Sequence, residues 1–260
     1  MKIGACGSIF KAPAIKEAGF DFLETAFWKF GNTMTDEEFS SQAKEFEKIG
    51  LPVQSYNCFF PNGMKIYEDG AFEEIRKHLE TAFPRTASIG GKIAVIGSGA
   101  ARRVPEGMDK ALADKKFLDI LSLSAEIADK YSMKVVIEPL NFDETNFINT
   151  VGQGADFARK CGKENVGVLV DFFHFELVNE EKDALNAVSD VLLHAHLSNR
   201  TANECRRVPT ADDIDALKEW AGMLKAADYK GDVAIECDFT EDYRADLKIA
   251  KEMMELFKTF

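Results

Sequence analysis

Four apolar runs in the second half of this chain end in acids or histidines, residue types that are costly to bury alone. "KVVIEPL" carries Glu138, and "VGVLVDFFH" carries Asp171 with His174 three residues on. "LLHAHLS" carries His194 and His196, and "VAIECDF" carries Glu236 and Asp238. A single buried carboxylate can be met by a local hydrogen bond. Four successive runs with the same kind of ending point instead to one shared site. Three acids and a histidine gathered there would repel one another unless a cation lies between them. Glu138, Asp171, His196 and Glu236 make a hard, oxygen-rich donor set for one divalent metal ion. Mn²⁺ or Mg²⁺ suits it best, with Co²⁺ or Zn²⁺ also compatible. His194 and His196 are two apart and share a strand face. His196, nearer the C-terminal end of its run, is the expected ligand, and His194 the deeper, supporting residue. His78, among charged residues of a helical stretch, is expected on the solvated surface.

A carbonyl acidifies the hydrogen on the neighbouring carbon, and a divalent ion stabilises the enediolate left when that proton departs. A placed carboxylate then serves as the base, an effect worth ~10²–10⁴ in rate. Glu138 and Glu236 belong to the fifth and eighth apolar runs of the chain. In a ring of eight they would face each other across the site. One could remove a proton from one face and the other deliver a proton to the opposite face, which inverts the carbon. A single glutamate that removes the proton and returns it to the adjacent carbon would instead exchange carbonyl and hydroxyl positions.

Elements must exist to hold these residues in that ring. Eight strand-like runs occur, beginning with "KIGACG", "FDFLETA", "PVQSYNCF" and "KIAVIGSG" and ending with the four above. Helical spacing lies between them, as in Leu118, Leu121, Ala125 and Ala128. "TDEEFSSQAKEFEKIG" opens on Thr35 with Glu38 three residues later, a capping-box pattern, and closes on Gly50. Pro84 is expected to end or kink the third long helix. Strands alternating with helices predict an α/β fold, a (β/α)₈ TIM barrel formed by a single domain over residues 1–260, with its site at the C-terminal ends of the strands. No G-x-G-x-x-G follows the first strand, which argues against a dinucleotide-binding open sheet.

The chain resembles the xylose isomerase-like TIM barrel superfamily, most closely its D-tagatose and D-psicose 3-epimerase branch. The resemblance runs over nearly the whole chain and is most specific from the fourth strand onward. It implies the same metal ligands, Glu138, Asp171, His196 and Glu236, with Glu138 and Glu236 as the catalytic pair. It also implies substrate-binding roles for Glu144 in "EPLNFDETNFINT", for His174 in "DFFH" and for Arg206 in the second "RRVP". Pro209 is followed by "TADD" rather than a glycine-containing turn, and the segment from His196 to Arg206 is longer than the epimerase pattern. Arg200 is therefore the alternative to Arg206. The implied activity is epimerisation or isomerisation of a sugar or sugar phosphate. The alternatives are an inosose dehydratase-type lyase and a non-catalytic sugar-binding barrel. Association into a dimer or tetramer is a further expectation of the resemblance.

The tetrapeptide RRVP occurs after the fourth strand as well as after the seventh, so both copies fall on the same rim. Arg102 and Arg206 are the expected substrate-facing arginines, suited to a phosphate or carboxylate. Arg103 and Arg207 are expected to pair with neighbouring acids. Trp28, Phe59 and Phe60 follow the second and third strands and are candidates for a pocket wall.

Composition excludes other classes. The formal charge of -12 repels nucleic acid phosphates. Only four histidines are present, too few for the three-zinc site of the related endonuclease IV. No apolar run approaches the ~20 residues of a membrane span. The N-terminus is a poor secretory signal. The five cysteines include no C-x-x-C and fit reduced thiols, so a cytoplasmic location is expected.

Overall fold

In the computed structural model, which describes residues 1–259, eight parallel strands close into a barrel. They are β1 (Ile3–Cys6), β2 (Phe22–Ala26), β3 (Val53–Asn57), β4 (Ile93–Ile96), β5 (Lys134–Ile137), β6 (Val166–Asp171), β7 (Leu192–Leu197) and β10 (Val233–Ile235). Neighbours in the ring are neighbours in sequence, and β1 closes it against β10. The two strands between β7 and β10 in chain order, β8 (Asn199–Arg200) and β9 (Arg206–Arg207), pair as a separate antiparallel hairpin. That hairpin takes up the long segment after His196.

Helices cover the outside: α1 (Ala12–Glu17), α2 (Asp36–Ile49), α3 (Ala71–Ser88), the single turn α4 (Gly99–Arg102), α5 (Lys110–Asp129), α6 (Val151–Cys161), α7 (Phe172–Leu177), α8 (Ile214–Ala226) and α9 (Tyr243–Met254). The Thr35–Glu38 capping box forms at α2, and Gly50 ends that helix with a left-handed φ of 65°. Pro84 does not end α3, which runs through it to Ser88. The carbonyl that loses its intrahelical donor belongs to exposed Glu80, where water can replace it. Buried Ala82, Phe83 and Thr86 hold the last turn against the barrel.

Away from two register shifts, period-two alternation divides the strands between two environments. Outward residues such as Ala94, Ile96, Val135, Ile137, Val168 and Val170 join the layer beneath the helices. The alternate residues Ile93, Val95, Val136 and Leu169 form a smaller apolar cluster of their own, and Cys6, Phe22 and Ala234 another. Phe22 fills its place because Gly4 faces it. A Cβ on Gly4 would lie 2.2 Å from the Phe22 ring. This inward parity continues upward as Glu24, Ser55, Glu138, Asp171, His194, His196 and Glu236. The same register that builds the core therefore delivers polar groups to the mouth. Two register shifts, between Leu23 and Glu24 and between Val168 and Leu169, lie directly below them. Such irregularities re-aim side chains next to sites.

Candidate active site

The centre of the site is the His196 ring, fully buried at the end of β7. Its Nδ1 lies 3.2 Å from Glu138 Oε1, 3.2 Å from Glu236 Oε2 and 4.0 Å from Asp171 Oδ2. Register explains the convergence. Asp171 is directly opposite His196 on β6, Glu138 follows β5, and Glu236 follows β10. One donor atom from each of the four residues lies within 4.8 Å of the others, a spacing that could hold one metal ion. Three carboxylates and one imidazole nitrogen suit an oxygen-preferring divalent cation.

The opposite ring nitrogen explains how His196 is aimed. Nε2 lies 2.7 Å from Glu24 Oε1, and the other oxygen of Glu24 lies 2.8 Å from His194 Nε2 and accepts from Ser55 Oγ at 2.5 Å. His194 Nδ1 in turn lies 3.1 Å from the Asp232 carbonyl. A carboxylate behind a ligating histidine fixes the tautomer and points the other nitrogen forward. Burial alone would raise the Glu24 carboxyl, but the charges of His196 and His194 and their hydrogen bonds outweigh it. Together they hold Glu24 well below the usual carboxylate range. Burial works against a charged His196, yet Glu24, Glu236 and Glu138 push its proton affinity well above the ordinary value.

Glu24 was not singled out in the sequence. It shares the inward parity of Phe22 but lies in the middle of its strand rather than at its end. Removing it would leave buried His194 without its carboxylate partner and His196 without the carboxylate behind its ring. Glu24→Ala is expected to destabilise the protein by about 3–5 kcal/mol, roughly 10 °C in melting temperature for a chain of this length. Because the Glu24 carboxyl is depressed, its contribution is present above the ordinary carboxylate range and lost as pH falls below it. The difference between wild type and variant in thermal denaturation should therefore narrow in acid. A melting temperature within about 2 °C of wild type at neutral pH would show that Glu24 carries no such load.

The two flanking glutamates are held differently. Glu236 Oε1 accepts from Asn57 Nδ2 at 2.7 Å, leaving Oε2 toward His196. Asn57, at the end of β3, is a second site residue that the sequence did not flag. Glu138 Oε2 packs on Gly97, where a Cβ would lie 2.2 Å from that oxygen. Burial pushes the Glu138 carboxyl up, against the His196 hydrogen bond. Burial acts on Glu236 too, but Arg206 and His196 beside it bring its carboxyl below the ordinary value.

Arg206, on β9, reaches the cluster. Its Nη2 donates to Asp171 Oδ2 at 2.5 Å and lies 3.0 Å from His174 Nε2, and its Nη1 donates to the Glu236 carbonyl at 3.2 Å. The guanidinium lies 4.4 Å from the Phe173 ring centre. Burial works to raise the Asp171 carboxyl, but the Arg206 charge dominates and lowers it. His174 is buried, with Nδ1 accepting from the Asn141 backbone at 3.3 Å. Glu144 is more exposed, and its Oε1 lies 3.9 Å from His174 Nε2.

Other expected positions differ. Arg102 does not face the mouth. It is fully buried and donates to the Gly97 carbonyl at 2.6 Å and the Glu138 carbonyl at 2.7 Å. It is the last residue of the one-turn α4, which turns its side chain inward to tie the ends of β4 and β5. Of this pair it is Arg103 that lines the cavity, donating to the Asp143 carbonyl at 2.7 Å. Arg207 is bound by both Asp213 oxygens, and Arg200 lies 3.9 Å from Glu204. His78 is buried rather than solvated, with Nε2 3.3 Å from the Phe59 carbonyl. It falls on the inward stripe of α3 with Ile75, Leu79 and Ala82, while its charged neighbours face out. Trp28 and Phe60 line the cavity, whereas Phe59 stacks on Phe27 in the core at 4.7 Å.

Above the cluster opens a cavity of ≈ 760 Å³ whose walls include Glu138, Glu144, His174, Arg206 and Glu236. Among the described residues, no helix is long and apolar enough to cross a membrane.

Known proteins share this arrangement of elements. The family model of the xylose isomerase-like TIM barrel matches residues 12–260. A probable ketose 3-epimerase of Synechocystis sp. is 32% identical over 233 residues, covering 87% of this chain and 77% of that protein. The 3-dehydro-D-guloside 4-epimerase of Escherichia coli is 29% identical over 256 residues, covering 91% and 92%. In three dimensions, D-psicose 3-epimerase from Clostridium cellulolyticum H10, solved with D-tagatose, superposes with a TM-score of 0.78 at 18% identity, covering 100% of this chain and 99% of that one.

Proposed function

The chain belongs to the xylose isomerase-like TIM barrel family, and from that premise we propose that it is a metal-dependent epimerase or isomerase of a carbonyl-bearing sugar. The observation that carries this reading is the approach of Glu138 and Glu236, from strands separated by β6 and β7, to the same nitrogen of His196 at 3.2 Å each. Curated relatives that are sugar epimerases, one of them 32% identical, support it. Glu138, Asp171, His196 and Glu236 would hold the ion. It would supply positive charge against the oxygen-centred charge that develops when a proton leaves the carbon beside the carbonyl.

The protein's own residues account for the rest. A substrate lying between the two glutamates meets a carboxylate on each face. The ionised one takes the proton, and the other, which must start protonated, gives one to the opposite face, so the carbon is inverted and the two carboxyls exchange roles in the reverse direction. Asn57 keeps Glu236 turned inward, and Gly97 leaves room for the Glu138 carboxyl. His174 and Glu144, at the cavity wall, are placed to hydrogen-bond hydroxyls or move a proton between oxygens. Arg206 sets positive charge beside the acids and presents a nitrogen near His174.

The arginines also bear on phosphate. Arg206 is matched by Asp171 and Glu236, and Arg102 is buried on backbone carbonyls. A phosphate would find neither free, and Arg103, which lines the cavity and donates to a backbone carbonyl, is the arginine left to meet one.

The test is deuterium wash-in from D₂O, with the protein loaded in turn with Mn²⁺, Mg²⁺, Co²⁺ or Zn²⁺ and given ketoses, keto-glycosides and inososes. Solvent deuterium at a single carbon next to a carbonyl, dependent on metal, is the expected result. Loss of water from an inosose would instead assign a lyase. Binding without exchange by any of these compounds would leave only a binding barrel.

A further inference from the structure

Arg102 is 0% exposed, yet the hydrogen bonds of its guanidinium go to main chain alone. Nη1 has no hydrogen-bond partner among the described residues. A charge in that setting is costly, and burial pushes the guanidinium down to about 10. What it grips is the end of the β4–β5 ladder. Regular pairing there stops at Ile96 and Ile137. The Glu138 N–H adds one more bond, to the Ile96 carbonyl at 3.1 Å. Beyond it, the Gly97 and Glu138 carbonyls accept from Arg102 Nε and Nη2 at 2.6 and 2.7 Å. A side chain thus carries the pairing one residue further than the main chain does.

The two gripped residues are the ones that place the Glu138 carboxyl. Its Oε2 rests on Gly97, where a Cβ would come within 2.2 Å, and its Oε1 lies 3.2 Å from His196 Nδ1. One rigid fork therefore fixes both the main chain of the glutamate and the surface behind its carboxyl. A lysine has no such fork and would reach one carbonyl at a time. The short helix α4 is itself held on two sides. The Ile66 N–H donates to the Ala101 carbonyl at 3.1 Å, and a Cβ on Gly99 would lie 2.7 Å from the Glu144 carbonyl. Glu236 has other supports, Asn57 and Arg206, and the hydrogen bonds of Arg102 reach neither. The cavity walls include Ala101 and Arg103 but not Arg102 between them.

We propose that Arg102 is a positioning residue for the proton transfer assigned to Glu138: it meets no substrate and acts by holding Glu138 against Gly97. This rests on the reading of Glu138 and Glu236 as the acid–base pair of an epimerase or isomerase. Displacing a reacting group by ~1 Å can cost about 100-fold in rate. Loss of the grip should therefore slow the Glu138 face of the reaction and spare the Glu236 face.

The experiment uses three variants. Arg102→Met keeps the length and removes the donors, Arg102→Lys keeps the charge, and Gly97→Ala leaves Arg102 in place but crowds the carboxyl from behind. Deuterium wash-in from D₂O is measured on the metal-loaded protein from each member of two epimeric pairs, D-fructose with D-psicose and methyl 3-dehydro-D-guloside with its C4 epimer. The epimer served by Glu138 is the one whose exchange Glu138→Gln loses. Its exchange should fall about 10–100-fold in Arg102→Met and less in Arg102→Lys, while that of the other epimer falls by no more than about threefold. Gly97→Ala should skew the pair in the same direction. In the metal-free protein, amide hydrogen exchange at Glu138 should quicken about tenfold in Arg102→Met, with the β7 amides still protected. Arg102→Lys keeps the comparison readable if the methionine variant folds poorly. Equal slowing of both epimers in both Arg102 variants would overturn the proposal, by making Arg102 a support of the whole barrel. Wild-type protection of the Glu138 amide in Arg102→Met would overturn it too, and leave the proposed function standing. No exchange from either pair by the wild type under any metal would overturn the reading of the floor, and this inference with it.

Discussion

Glu138→Gln and Glu236→Gln should each lower epimerisation by about 10³-fold or more, close to the upper end of what a placed base contributes. The amide preserves size and one oxygen but removes the base and a charge. At 236 it also disturbs the partner pattern, since Asn57 Nδ2 now donates to Oε1. If the amide oxygen keeps that bond, its NH₂ faces the Arg206 guanidinium, itself a donor, and the His196 nitrogen proposed to hold the metal. The sharper result lies in isotope exchange. Each variant retains one carboxylate, so each should still exchange the hydrogen of one epimer, and the two variants should favour opposite epimers. Exchange measured separately from each epimer in D₂O reads this directly. Turnover within threefold of wild type in either variant would remove the two-glutamate mechanism.

The next largest effect is expected on metal content. Asp171→Asn and His196→Ala should each weaken divalent binding by at least about 100-fold, read as metal retained after dialysis and by titration calorimetry. Asp171→Asn is the cleaner of the two, because His196→Ala also leaves Glu24 short of a partner. Affinity should also fall with pH. The raised proton affinity of His196 means that proton and metal compete for Nδ1, so binding releases a proton and strengthens as pH rises toward the folded-state value. The proton on His196 stabilises the fold fully below its ordinary value and loses that effect as pH rises through the folded one. Full metal content in both variants would mean that the ligands are other residues.

Strand parity made much of this legible before any coordinates. Glu138, Asp171, His196 and Glu236 fall where a buried strand reaches its mouth, and all four were readable from apolar runs with polar ends. Glu24 shares the inward parity, but it lies in mid-strand in "FDFLETA" and nothing beside it in sequence betrays its partners, which lie 170 and 172 residues away. Arg102 and Arg103 are adjacent in a repeated tetrapeptide, and only the single turn of α4 decides which of them goes inward. His78 sits among charges in sequence, yet helical periodicity places it on the inward stripe. Pro84 shows tertiary packing prevailing over a local breaker. The hairpin of β8 and β9 was visible only as excess length before Arg206.

The hydrogen bonds from Glu24 to His196 and from Asn57 to Glu236 span 172 and 179 residues. During synthesis, then, Glu24 and Asn57 should stay without these partners until His196 and Glu236 have left the ribosome. A nascent chain that ends before Glu236 can carry both histidines and Glu24 but lacks the fourth donor and the strand that closes the ring on β1. An ion that needs all four donors would therefore not act as an early template. Closure over such distances is slow, and until it occurs the acids and histidines of the barrel interior stay in water, where their charges are well tolerated. Competence for metal should arise in one late event, together with the final pairing of β10.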